Sequence, residues 1–497
     1  MVNTLEKLFL TNDAGTILRE VDVEHPAARL LWMASQQQEK EMGDGSNLVV
    51  LLAGELLAGA EELLRMGLKP AQIVAGYDLA YQRAVALLDG PELERTRVQM
   101  DAQGGAASLV PLLKSVIGSK QYGYEEHFAR LVIEAAAIAY PTENAASHAV
   151  FDPENVRCIK ILGGALPQST VVAGLVMERE PVGRIRRALG AKIAVFACPV
   201  GISRTETKGT VLLKGAQELR DFGRGEEAIL QRQIEEIAAS GVHVIVTGDT
   251  IGELALHYIE RAEMMALKVP SKFELRRLCR AIGATPLARL GAPTAEEAGF
   301  ASVVELIEFG GTRCTVFRQD DPARSRLATI VLRSNTQSLL DDVERALNDA
   351  LCTLRTLTRI DGRVVAGAGA TEMELARLLQ QYAETTPGIA QHAIHKYAEA
   401  FEVIPRTLSA NAGHDSTEAI AKLYWSHQSH PFAGLDLESG GIIEDVATVQ
   451  DLLAVKRCAI HLATEAALTI LRVDQIIMSK PAGGPKARPA GPQDADD

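Results

Sequence analysis

The 497-residue sequence has no apolar run of the roughly 20 residues that a membrane-spanning helix needs. Its first residues also lack the pattern of a secretory signal. No membrane partner is therefore expected, and a cytoplasmic location is. Cysteine is scarce and scattered: Cys158, Cys198, Cys279, Cys314, Cys352 and Cys458 include no C-x-x-C pair. That argues against a disulfide framework or a zinc site and for reduced, buried thiols. Aromatic residues make up only 4%, so packing has to rest on Ala, Leu, Val and Ile. Basic residues do not predominate. The formal net charge of −13 at pH 7 argues against nucleic acid or an anionic membrane as partner. No repeat of solenoid period is present.

What is present is apolar mass and length. Hydrophobic residues make up 47%, and a chain this long outgrows a single core, so about two to four domains are expected. Residues 5–10 and 16–18, on either side of a turn signal at 11–15, read as a hairpin. Helical periodicity follows over 26–33, 48–66 and 71–88, the last two forming an antiparallel pair. Further helices are expected over 92–100, 108–117 and 124–139. From about 159 to 327 the character changes: β-rich runs at 193–197 and 242–247 alternate with helices over 226–239, 252–265 and 271–282. The last of these carries an S-x-x-E capping box (Ser271, Glu274) and is closed by Gly283. Helices return over 339–357, 372–384, 388–401, 417–427 and 449–478. Residues 480–497, rich in Pro, Gly, Ala and charge, cannot bury a core and are expected to be disordered. The order is an α/β unit inserted between helical parts.

One stretch organises the rest. Gly43-Asp44-Gly45 is a tight turn followed by Ser46, Asn47 and a long apolar helix. Glycines let backbone N–H groups approach a phosphate, and a helix N-terminus adds positive dipole. Asp44 could hold the Mg²⁺ that accompanies nucleotide phosphates, and Ser46 and Asn47 could donate to their oxygens. Alone the motif is ordinary, since Gly-Asp-Gly is usually just a loop.

Distant motifs give it weight. GDGSN at 43–47, TNDAGTIL at 11–18, FACPVGISRTETKGTVLL at 196–213, ERALNDAL at 344–351, VAGAGATE at 365–372, KLYWSHQ at 422–428 and LRVDQIIMSKPAGGPK at 471–486 together resemble the group II chaperonin subunits. The resemblance covers essentially the whole chain. It implies a multidomain α and α/β subunit. A mostly helical equatorial domain would be built from 1–99 and 363–479, a hinge-like intermediate domain from 100–164 and 327–362, and an α/β apical client-binding domain from 165–326, followed by the 480–497 tail. It also implies a helical protrusion at about 205–231 that forms a lid. The implied function is ATP-dependent folding of unfolded client proteins, such as actin and tubulin. The implied partners are the other subunits of an eight-membered ring, two such rings being stacked.

Site residues follow from the same resemblance. Asp44 matches the Mg²⁺ ligand. Gly45, Ser46, Asn47 and Leu48 match the phosphate-binding turn and helix start, and Ser119 and Lys120 a loop approaching the γ-phosphate. Gly367, Ala368 and Gly369 match the glycine turn beside the adenosine, and Asp451 the acidic residue on the ribose side. Asp349 matches the catalytic aspartate that orients the attacking water, a chemistry of positioning and charge neutralisation. Arg276, Arg277 and Arg280 stripe one side of a helix and would belong to the client-binding surface.

Three departures qualify the match. Family members begin earlier, with a strand and a G-P-x-G phosphate loop, whereas this chain starts at Met1-Val2-Asn3, so weakened ATP binding is expected. The usual Gly-Gly-Gly is Gly367-Ala368-Gly369, which would put a Cβ against the nucleotide. The segment 438–450 is shorter than usual. Plainer readings stand beside these. Asp349 out of context is an exposed helix aspartate, Lys120 a solvated lysine, Asp451 a helix N-terminal charge, and the arginine stripe a solvated face. His392/His395 and His427/His430 have a spacing that suits a metal but no third ligand, so they read as surface or core histidines. Two functions compete: an ATP-hydrolysing subunit, and a structural, client-contacting subunit with a slack nucleotide site. A stand-alone metabolic enzyme fails for lack of any nucleophile–base constellation.

Overall fold

The computed structural model describes residue 6 and residues 8–91, 93–98, 100, 106–140, 150–201, 215–319 and 326–477. The 480–497 tail and residues 205–214 of the expected protrusion lie outside them.

The first part of the chain is helical: α1 (Ala14–Glu20), α2 (Pro26–Met42), α3 (Ser46–Arg65) and α4 (Pro70–Asp89), then a short strand β1 (Thr96–Arg97), α5 (Ala106–Gly118) and α6 (Glu125–Ala139). Two expectations fail here. Residues 16–18 form no hairpin: Asp13 caps α1 by accepting the Thr16 N–H, and the segment coils. The described residues of 92–100 are not helical, because Thr96 and Arg97 pair with a later strand.

The inserted unit runs β2 (Val156–Leu162), β3 (Thr170–Met177), β4 (Pro181–Val182), β5 (Arg187–Phe196), α7 (Ala216–Ala239), β6 (Val244–Thr247), α8 (Glu253–Arg261), β7 (Met265–Lys268), α9 (Lys272–Ile282), β8 (Gly299–Phe309), β9 (Thr312–Arg318) and β10 (Ala328–Ser334). These strands form one nine-stranded sheet in the order β2-β10-β3-β9-β8-β5-β6-β7-β4. The β5-β6-β7 part, toward one edge, is parallel, as βαβ crossovers through α7 and α8 require. Period-2 side chains divide between two cores: Ile193, Val195, Val244 and Val246 face α9, whereas Ala194, Phe196 and Ile245 face α7 and α8. Ser271 caps α9 as expected, and Gly283 closes it in the left-handed region at φ +68°.

The chain then returns through α10 (Gln337–Arg359), β11 (Arg363–Ala366), α11 (Ala370–Thr385), α12 (Ala390–Ala400), α13 (Val403–Asn411), α14 (Ser416–Ser426), β12 (Gly434–Leu435), β13 (Ile442–Ile443), β14 (Gln450–Leu452) and α15 (Leu453–Leu471). The expected helix over 449–478 is thus preceded by a strand, which pairs with β11. In α3, Val49, Leu52, Ala53, Leu56, Ala60 and Leu63 make a buried stripe at i, i+3, i+4 spacing. It packs with Ile73, Tyr77 and Ala80 of α4, Ile394 and Tyr397 of α12, and Ile460 and Ala463 of α15 in one aliphatic core. Although α3 and α4 are consecutive, they share this core through α12 and α15 more than they pair directly. A second core joins α5, α6 and α10 to β2 and β10. Among the described residues no helix is long and apolar enough to cross a membrane.

Candidate functional site

The Gly43–Gly45 turn takes its shape from two left-handed residues. Gly43 (φ +82°) ends α2, and a Cβ added there would lie 2.2 Å from Cys352 Cβ on α10. Gly45 (φ +80°) begins α3 without any side-chain cap. The first-turn N–H groups of that helix therefore have no capping side chain, the usual condition of an anion-binding helix start. Gly45, Ser46, Asn47 and Leu48 line a cavity of about 350 Å³. Asp44, Ser119, Lys120 and Asp451 line it as well. Gln38 holds the turn from below, donating through Nε2 to the carbonyls of Asp44 (2.9 Å) and Val455 (3.1 Å).

Asp44 accepts the Gly45 N–H at 2.7 Å. Desolvation pushes its carboxyl above the usual carboxylate range, and that hydrogen bond and the charges of Lys120 and Lys456 do not offset it. Among the described residues no group of three or more His, Cys, Asp or Glu side chains could hold a metal ion. A Mg²⁺ here would thus rely on Asp44 with water and phosphate oxygens, the manner in which Mg²⁺ is usually held.

Opposite the turn, Lys120 joins two carboxylates from far apart in the chain. Its Nζ lies 3.0 Å from Asp13 Oδ1 and contacts Asp349 Oδ2. The three side chains are only 11%, 9% and 15% exposed, so the pairing is weakly screened. Burial alone would raise the Asp13 carboxyl. Lys120 and the two hydrogen bonds from Thr16 outweigh it and hold it below the ordinary value. Asp349 stands off the apolar stripe of α10, whose Leu340, Val343, Leu347, Leu351 and Leu354 are buried. Thr353 lines the cavity one turn on and donates to the Asp349 carbonyl at 2.9 Å.

A second buried cluster closes the other side. Lys456 on α15 lies 2.8 Å from Asp451 Oδ2 and contacts Glu372 Oε1. Burial by itself would disfavour the ammonium, but Asp451 and Glu372 reverse this and raise its affinity for the proton. Glu372 Oε2, at the cavity wall, and Gln38 Oε1, beneath the turn, have no hydrogen-bond partner. Asp451 sits on β14, opposite Val365 of β11.

Gly367, Ala368 and Gly369 link β11 to α11 behind Asp451 and do not line the cavity. The Gly367 N–H donates to the Val449 carbonyl at 3.0 Å, and a Cβ at Gly367 would come 3.2 Å from Asp451 Oδ2. Ala368 is left-handed at φ +54°, with its methyl beside Gly434 of β12. Arg276, Arg277 and Arg280 are exposed on α9 and do not line the cavity. Arg280 pairs with Asp152 (3.3 Å) and Glu154 (3.5 Å), and Arg277 lines a separate cleft of about 780 Å³ together with Arg157.

Sequence reasoning missed several of the residues assembled here. Asp13 was inside a quoted motif but read as part of a turn. Glu372 closed another quoted motif. Lys456 carried little signal: it follows the apolar run Leu452–Val455 but precedes Arg457, as an ordinary basic pair would. Thr407, Leu408 and Asn411 line the cavity from α13, a helix that the sequence did not suggest.

With this geometry in view, the comparisons with known proteins agree. Residues 1–481 match the TCP-1/cpn60 chaperonin family. The probable T-complex protein 1 subunit theta of Schizosaccharomyces pombe is 48% identical over 99% of this chain and 89% of that protein. The T-complex protein 1 subunit theta of Homo sapiens is 45% identical over 100% of this chain and 89% of its own length. Among solved structures, the open-state monomer of a group II chaperonin from Methanococcoides burtonii aligns with a TM-score of 0.62 and 29% identity, over 86% of this chain and all of that one. An uncapped helix start, two buried ion clusters drawn from distant parts of the chain and an inserted α/β unit thus coincide with a match over nearly the full length, and the chain belongs to the TCP-1/cpn60 chaperonin family, with the group II chaperonin fold.

Proposed function

We propose that this chain is a theta-type subunit of a hetero-oligomeric, double-ring cytosolic chaperonin. In this reading it binds ATP in the cavity between α3, α5 and α15, and hydrolyses it to drive enclosure and folding of unfolded clients such as actin and tubulin. The observation that carries the reading is the convergence on one cavity of an uncapped helix start, Asp44, Asp13 and Lys120, with Asp349 in contact with Lys120 just behind the wall. The α3 N–H groups, with Ser46 and Asn47, hold phosphate oxygens. Mg²⁺ held by Asp44 would neutralise charge on the phosphates. Lys120 is shared between two carboxylates, and an arriving triphosphate competes for it. As Lys120 turns to the phosphate, Asp349 is released to orient water. Asp349 rides on α10, so hydrolysis depends on where that helix lies. The reading also places residues 1–99 and 363–479 in an equatorial domain, 100–164 and 327–362 in an intermediate domain, and 165–326 in an apical domain that presents Arg276, Arg277 and Arg280 to clients, in an eight-membered ring.

The test is Asp349→Ala. ATP affinity by calorimetric titration is expected to persist, while single-turnover hydrolysis falls by about 10²–10⁴. Unchanged hydrolysis would remove Asp349 from its role, and absent ATP binding by the unaltered chain would remove the function. A second reading, a ring subunit with a slack nucleotide site, draws on Ala368. An alanine held at φ +54° carries strain of about 1–3 kcal/mol. Under that reading Ala368→Gly tightens ATP binding; under the first it changes stability alone.

A further inference from the structure

One buried titratable side chain is unused by the mechanism above. His427 caps the C-terminus of α14, and its ring is completely buried. Nδ1 lies 2.9 Å from Glu374 Oε2 on α11, and Nε2 lies 2.9 Å from the Ala433 carbonyl oxygen. A carbonyl oxygen only accepts, so Nε2 carries a hydrogen. Glu374 is also held by Arg377. Burial by itself would raise its carboxyl, but His427 and Arg377 keep it below the usual carboxylate range. The ring thus bridges α11 and the residue that precedes β12.

The bond from Nε2 bears on the nucleotide side of the molecule. Ala433 leads directly into β12. There the Leu435 N–H donates to the Ala368 carbonyl at 3.1 Å, and Gly434 lies so close that an added Cβ would be 3.3 Å from Ala368 Cβ. From Ala368 the chain steps to Gly367, which is bonded to Val449 and packed on Asp451. Asp451 lines the cavity and pairs with Lys456. A run of hydrogen bonds and backbone contacts thus leads from the buried ring to a cavity wall.

We propose that His427 is a positioning residue for the nucleotide. Anchored to α11 through Glu374, it holds β12 against the Gly367-Ala368-Gly369 turn and so fixes the wall that carries Asp451. This rests on the nucleotide-site reading given above. Its link to β12 runs through Nε2 and its anchor through Nδ1, and the two can be separated. Glutamine places its amide nitrogen where Nε2 lies, and asparagine where Nδ1 lies.

The experiment compares His427→Gln and His427→Asn in the full chain by Mg-ATP calorimetry, steady-state hydrolysis and melting. H427Q keeps the β12 link and is expected to bind Mg-ATP nearly as the unaltered chain does. H427N is expected to bind about tenfold more weakly, with KM raised and kcat unchanged, while both variants melt alike. Equal affinities in the two variants would overturn the proposal, because a merely structural histidine does not distinguish them. If the unaltered chain binds no Mg-ATP, the nucleotide reading falls, and amide exchange at Leu435 decides the clamp. Faster exchange in H427N than in H427Q supports it, and equal exchange overturns it.

Discussion

Two regions of this molecule bring opposite charges together, and they do so in opposite ways. Around the 350 Å³ cavity, Lys120 and Lys456 each sit between two carboxylates, nearly out of reach of water. Along the 780 Å³ cleft between α9 and β2 the arginine pairs are longer, and that of Arg280 is exposed. Arg280 reaches Asp152 at 3.3 Å with its side chain 58% exposed, and Glu274 is 3.8 Å from both Arg157 and Arg179. Burial, and then the like charge of Arg277, even pull Arg157 below the usual arginine value. Buried ions without water need their partners and cannot part easily. Exposed ones exchange partners for solvent at little cost. The first region is held together firmly, and the outer arginine pairs of the second loosely.

This contrast can be broken at its strong end. Lys456→Met leaves Glu372 and Asp451 facing each other without a cation, and should lower unfolding stability by about 3–5 kcal/mol in urea titrations. A loss under about 1 kcal/mol would place the cluster among ordinary surface pairs.

Lys120→Met comes next, and pH reads it. Asp13 is depressed when folded, so its contribution is present above the unfolded value near 3.8 and is lost as pH falls through the folded one. Without Lys120, the remaining burial raises the carboxyl. The acid-unfolding midpoint should then move to higher pH. An unmoved midpoint would mean that Thr16 alone holds Asp13 down.

The weak end sharpens the comparison. Arg280→Ala should change stability by less than about 1 kcal/mol, and the difference should vanish in high salt. A larger, salt-insensitive effect would make the cleft a structural joint.

The Gly43–Gly45 turn was legible from its own residues, whereas Lys120 and Asp349 stood out only through the family resemblance, and the cavity brings the turn and Lys120 together with Asp451. What escaped was non-local. Lys456 has meaning only beside Glu372, which lies 84 positions earlier. The β1 strand exists only because Val364 and Arg363 are there to pair with it. The helix periods of α3, α4 and α10 were clear because one face of each is buried and aliphatic. Asp13 was misassigned for a related reason: an Asp-Ala-Gly run favours a turn as much as a helix cap, and the buried Lys120 beside it is out of sight in the sequence.

The join between β10 and α10 has a mechanical consequence. β10 is gripped on both sides, parallel to β2 and antiparallel to β3, and only two residues separate its end from the start of α10. Asp349 stands twelve residues into that helix, an arm of about 18 Å at 1.5 Å per residue. With the strand as fulcrum, a twist of a few degrees in the sheet becomes a stroke of about 1 Å at the carboxylate, the scale of error that an aligned reaction does not tolerate. Whatever leans on the far strands of the sheet therefore works a lever whose tip is the aspartate beside the cavity.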